Sequence, residues 1–157
     1  VYLHNMSIWL QRFKYLALSL IPPATVLIVH LFRHARWPHL ILLDVVAHFV
    51  GGFSIAWMAT IFFQGLRKIG DIPSAVPIWL TDYATLGSVF IAGVLWEFME
   101  WGLDTFLGTT TQFTIPETMN DLLMDVFGGI LFLGIVVGLR VWKKSTQARD
   151  NGELPVS

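Results

Sequence analysis

Residues 39–64 read HLILLDVVAHFVGGFSIAWMATIFFQ. The run is apolar almost from end to end, and it is long enough for a bilayer's hydrocarbon core, which takes roughly 20 helical residues. It nevertheless carries Asp44 and His48, four positions apart and so on one stripe of a helix. A charged side chain at bilayer depth is costly unless it is paired, bound to a metal or facing a wet cavity. The stretch therefore reads as a membrane span with a polar face turned inward.

Three further segments have the same character: 15–32, 83–104 and 117–142. The chain of 157 residues is 55% hydrophobic and 13% charged, with a mean hydropathy of +0.64, outside the range of soluble globular domains. It has no cysteine, which excludes disulfides, thiolate metal sites and cysteine nucleophiles. A net charge of −1 leaves no basic surface for nucleic acid. The expected fold is an all-α bundle of four transmembrane helices, one domain over 1–144, followed by a polar cytoplasmic tail over 145–157. Residues 8–15 mix Trp9, Phe13 and Tyr15 with Arg12 and Lys14, the pattern of an interfacial lead-in. Pro22-Pro23 is expected to kink the first span or to start its main helix. That span lacks the flanks of a cleaved signal and is expected to be retained. Gly70 to Pro77 and the Thr-rich stretch from Gly108 to Pro116 read as loops.

Cations set the expected orientation. With four spans, the N-terminus, the second loop and the C-terminus share one side. Arg12, Lys14, Arg67, Lys68, Arg140, Lys143, Lys144 and Arg149 fall there, while Arg33 and Arg36 fall on the other. The positive-inside rule then places both termini in the cytoplasm of a bacterial-type inner membrane. In that topology Asp44/His48, Glu97/Glu100/Asp104 and Glu117/Asp121/Asp125 all lie towards the outer face. Rising about 1.5 Å per residue, His48, Glu97 and Asp125 come to about 10–15 Å from the outer end. Each set has helical spacing, so each lines one stripe, and stripes of acids are expected to converge away from lipid. Gly51-Gly52 and Gly128-Gly129 lie just deeper and allow close helix approach. Gly134 and Gly138 form a GxxxG pair that reads as ordinary packing.

Carboxylates with one imidazole suit a divalent cation: oxygen ligands favour Mg, Ca or Mn, and the histidine admits Zn or Fe. Helix bundles build such sites from acids on facing helices, although the usual Glu-x-x-His pair is absent here. The ligand candidates are Asp44, His48, Glu97, Glu100, Asp121 and Asp125, with Asp104 and Glu117 behind them. Two other readings stand beside this one. The acids form a proton-sharing network, or Arg33, Arg36, His34 and His39 neutralise them and lock the bundle. His30 reads as a core or interface histidine. Trp96 and Trp101 flank the acids as candidate walls. Ser54 and Ser88 lack a His-acid partner at useful spacing, which leaves a serine hydrolase unsupported.

Asp44-x-x-x-His48-Phe49 with Gly51-Gly52, Trp96-Glu97-x-x-Glu100-Trp101-x-x-Asp104, and Asp121-x-x-x-Asp125-x-x-Gly128-Gly129 together form a joint pattern. In it the chain resembles the small YjdF-type membrane proteins of bacteria. More distantly it is similar to VanZ-like proteins, which share an Asp-x-x-x-His-Phe, a later Glu and an Asp followed by Gly. Those proteins usually have Asn where this chain has Asp125, and Gln after the Glu. The likeness covers roughly residues 40–140 and implies an acidic site without naming its chemistry.

The functional expectation is a membrane protein binding a divalent metal near the outer face, and a metal-dependent hydrolase acting on a lipid or lipid-linked substrate. The rival expectations are a non-catalytic accessory subunit of a larger membrane assembly and a proton or ion pathway. The expected partners are the lipid bilayer and other membrane subunits or further copies of the chain.

Overall fold

The computed structural model describes the backbone of residues 2–36, 41–112 and 114–151, and the side chains of 9–29, 43–112 and 114–151. Four helices account for nearly all of it: α1 Tyr2–Arg36, α2 Ile41–Lys68, α3 Ile78–Leu107 and α4 Ile115–Asp150. Each contains a window long and apolar enough to cross a membrane. Helices dominate for a physical reason: hydrocarbon supplies no hydrogen-bond partners, so a spanning backbone must satisfy its own N–H and C=O groups.

The lead-in and the first span are one helix, running through Pro22 and Pro23 instead of starting there. The two missing donors leave the carbonyls of Leu18 and Ser19 without their helical partners, and the turns on either side carry the helix onward. Helix α4 likewise continues past the apolar segment to Asp150. At about 1.5 Å per residue it reaches on the order of 54 Å, well beyond a hydrocarbon core of about 30 Å.

Helix α2 is the hub. It packs against α1, α3 and α4, and α3 also packs against α4, whereas among the described residues α1 rests on α2 alone. The α2–α4 crossing is backbone on backbone. A Cβ at Gly52 would overlap the Asp125 carbonyl, and one at Gly128 would overlap the Phe49 carbonyl, so glycine is required at both. Gly129 sits against Val89 of α3. Below the crossing, Ala56, Val89 and Phe132 form a small core, with the Phe53 and Phe132 rings edge to face at 5.0 Å. Gly134 and Gly138 meet no neighbour within 4 Å. Large apolar side chains such as Phe90, Leu95, Leu123 and Leu139 are exposed, as lipid-facing residues are.

Two ion pairs tie one end of the molecule. Arg12 donates twice to Asp71, at 2.6 and 2.7 Å, joining α1 to the α2–α3 loop. Arg140 donates to both Asp82 oxygens, at 2.8 and 2.9 Å, joining the far part of α4 to the start of α3. The start of α1, the α2–α3 loop and the end of α4 therefore share one end, as an alternating four-span topology requires. The Arg12 guanidinium holds the Asp71 carboxyl below its ordinary range and lies 5.2 Å over the Trp9 ring.

Candidate functional site

The convergence expected of the acidic stripes occurs at the other end. Asp44 and His48 enter from α2, and Asp121 and Asp125 from α4, where the glycine crossing brings the two backbones together. His48, Asp121 and Asp125 are each buried, with 6, 8 and 7% exposure, and Asp44 is half-buried. Asp44, His48 and Asp121 each offer one ligand atom, and these atoms lie within 4.8 Å of one another. The imidazole is held from both sides: Nδ1 lies 3.4 Å from Asp125 Oδ2, and Nε2 lies 3.9 Å from Asp121 Oδ2.

Glycine again decides how closely the parts assemble. A Cβ at Gly93 of α3 would stand 2.7 Å from Asp125 Oδ2, and one at Gly51 would stand 3.6 Å from Oδ1. Both positions leave the carboxylate room to turn towards His48. One helical turn beyond Gly93, Glu97 is buried at 6% exposure. Gln112 Nε2 approaches Glu97 Oε2 at 3.4 Å and donates to Thr118 Oγ1 at 3.0 Å. Oε1 of Glu97 has no hydrogen-bond partner among the described residues. Glu97 follows Gly93, the position that makes room for Asp125, by one turn of α3, so it belongs to the same buried layer.

The other candidates are placed differently. Glu100 is half-buried and accepts a hydrogen bond from Trp96 Nε1 at 2.9 Å. Asp104 serves the α3–α4 loop, accepting from Thr109 Oγ1 at 2.5 Å, Thr111 N and Gln112 N at 2.8 Å, and Thr111 Oγ1 at 2.7 Å. Glu117 serves the N-cap of α4: Thr114 Oγ1 donates to its Oε2 at 3.0 Å and accepts from its backbone N at 3.4 Å. Trp96 lines the space beside the site, whereas Trp101 is exposed and packs edge to face on Phe106. The side chains of His30, Arg33, His34, Arg36 and His39 lie outside the described residues, and so does the neutralising role expected of four of them.

Sequence reasoning passed over Gln112 and Thr118, which attend Glu97, and Gly93, which makes room for Asp125. The Gly93/Glu97 spacing of four was a usable signal for the latter. Gln112 lay in a segment legible only as loop.

A family model for predicted membrane proteins matches residues 5–143, most of the chain. The chain belongs to the DUF2238 family of predicted membrane proteins. This is the family of the YjdF-type proteins whose motifs the chain resembles, and the match does not bear on the VanZ-like likeness. No curated protein and no solved structure matches the chain. The DUF2238 match takes in all four apolar segments and every acid of the buried layer.

Proposed function

We infer that the Asp44–His48–Asp121 group binds a divalent cation, and that the protein acts there as a hydrolase on a lipid or lipid-linked substrate. The observation carrying this reading is the approach of three ligand atoms from two helices to within 4.8 Å. Two ligands across one ion stand no further apart than twice the bond length, about 4–4.4 Å for Zn and about 4.6–5.2 Å for Ca. The separation of 3.9 Å between His48 Nε2 and Asp121 Oδ2 lies inside both limits, so the group can close on either kind of ion.

The surroundings support the same reading. With Nε2 facing the ion, Nδ1–H of His48 donates to Asp125, the carboxylate–imidazole arrangement that orients metal-binding histidines. Asp125 is then the orienting partner, and Glu97 is the spare carboxylate available to take a proton from an attacking water. A divalent ion at this position supplies Lewis acidity towards a phosphoryl or carbonyl oxygen. Glu100, Asp104 and Glu117 have other work in Trp96, the α3–α4 loop and the α4 cap. The cation asymmetry supports an inner-membrane location with both termini cytoplasmic and the site near the outer face.

A second reading has its own support. The contacts of 3.4 and 3.9 Å are those of an imidazolium held between two carboxylates, with a proton in place of the metal ion. Elemental analysis of the purified protein in mild detergent, followed by calorimetric titration with Zn, Mn, Mg and Ca, separates the two. One tightly held ion per chain, lost on His48→Ala, is expected. A protein that neither carries nor takes up an ion would overturn the metal reading in favour of the proton.

A further inference from the structure

Among the described residues, the apolar helix α1 leans on α2 and does not reach α3. Between α1 and α3 lies a cleft of about 440 Å³, within the size range of small-ligand pockets, roughly 300–1,000 Å³. Small side chains keep it open: Ala24 from α1, Ala47 from α2, and Ala92 and Gly93 from α3. Protein interiors ordinarily fill such spaces with larger side chains, because an empty apolar void forfeits dispersion contacts.

The cleft has a polarity along its length. His48, Asp125 and Trp96 stand at one end, and Leu20, Ile55 and Val89 stand at the other. His48 is seven residues from the start of α2, at a depth of about 10 Å, and Ile55 lies about another 10 Å further along the helix. The cleft thus runs from the buried acidic layer towards mid-bilayer, polar end nearest the membrane surface. A lipid in one leaflet lies the same way, headgroup outward and chain inward. Chains of lipid are also the apolar molecules present at this depth.

The geometry points to the α1–α3 cleft as the binding site for one hydrocarbon chain of a membrane lipid, whose polar end rests on the His48–Asp125 floor. This names the substrate class of the proposed hydrolase, and it rests on that reading for the chemistry at the floor. The chain enters sideways from the bilayer, because α1 and α3 leave the mouth uncovered. Pro23 lies in the α1 wall, and with Pro22 it loosens the helix where the wall would have to yield. At the opposite end α1 stays anchored by Arg12–Asp71 and by the Tyr15 ring packed on Gly65.

The test uses the full chain in phosphatidylcholine–phosphatidylglycerol vesicles doped with a phospholipid carrying a diazirine at the end of one acyl chain. After photolysis, peptide mapping reads where the label sits, and unlabelled phospholipid tests whether labelling saturates. Saturable labelling of the segments around Leu20, Ile55 and Val89 is expected. Ala92→Trp should lower it about tenfold, the effect of excluding roughly two methylene groups, while Leu131→Trp on the exposed face of α4 should not. Labelling of the cleft no greater than that of exposed α4 positions would overturn the proposal. So would a cleft left unlabelled because a second copy covers it. Metal content is measured on the same samples. Absence of an ion with saturable labelling retained removes the metal reading alone. An ion retained without cleft labelling removes the lipid proposal alone.

Discussion

Substituting Asp121 and Asp125 one at a time by Asn separates a ligand from the residue that orients one. Both changes keep size and one hydrogen-bonding oxygen while removing a negative charge. If Asp121 ligates and Asp125 orients His48, Asp125→Asn should weaken metal binding by about 10–100-fold, the usual cost of losing an orienting partner. Asp121→Asn should cost at least about a hundredfold, because a charged ligand is lost outright. Stability of the metal-free protein should change little or rise, since each substitution thins a crowd of four buried or half-buried acids. The proton reading predicts the opposite pattern. At 3.4 and 3.9 Å, and an effective dielectric near 20, an imidazolium interacts with Asp125 and Asp121 by about 5 and about 4 kcal/mol before desolvation is charged against it. Removing either partner of a buried pair then costs about 3–5 kcal/mol of stability, nearly equal for the two sites. Calorimetric titration reads the affinities, and thermal unfolding in detergent with chelator reads the stabilities. An affinity loss larger at Asp125 than at Asp121, or equal losses of metal-free stability at both without change in metal binding, would refute the assignment.

Gly52→Ala and Gly128→Ala should each destabilise by about 1–3 kcal/mol, because their Cβ atoms overlap carbonyls across the α2–α4 crossing. Gly134→Ala and Gly138→Ala should be neutral or stabilising by up to about 1 kcal/mol, the gain in helix propensity where no neighbour is met; unfolding in denaturing detergent compares all four. The Arg12–Asp71 pair lowers the folded-state pKa of Asp71. Its stabilisation is therefore complete above the ordinary carboxylate range and is lost as pH falls through the lowered value. The difference in melting temperature between the wild type and Asp71→Asn should thus be constant near neutrality and shrink only in acid; a difference that grew in acid would contradict the pairing. A reporter fused after Ser157 should read cytoplasmic and one inserted near Thr110 external, while the reverse result would place the site near the inner face.

The helices and the buried layer were legible in the sequence because both follow from one-dimensional rules. Apolar runs the length of a bilayer must be helical to satisfy their backbones, and acids at helical spacing within them must face away from lipid. Gly51-Gly52 and Gly128-Gly129 even marked where α2 and α4 meet. Rules of spacing stop there, because they cannot rank the acids within or between stripes. Asp104 of α3 and Asp121 of α4 are both acids at the same end of the bundle. Yet the turn after Leu107 brings backbone donors of Thr111 and Gln112 to Asp104, while the glycine crossing delivers Asp121 to His48. Nor could composition place α1, which is as apolar as its neighbours and could have closed the bundle. The tertiary structure alone decided that it rests on α2 and leaves the α1–α3 cleft open, because that outcome depends on which side chains are small on three helices at once.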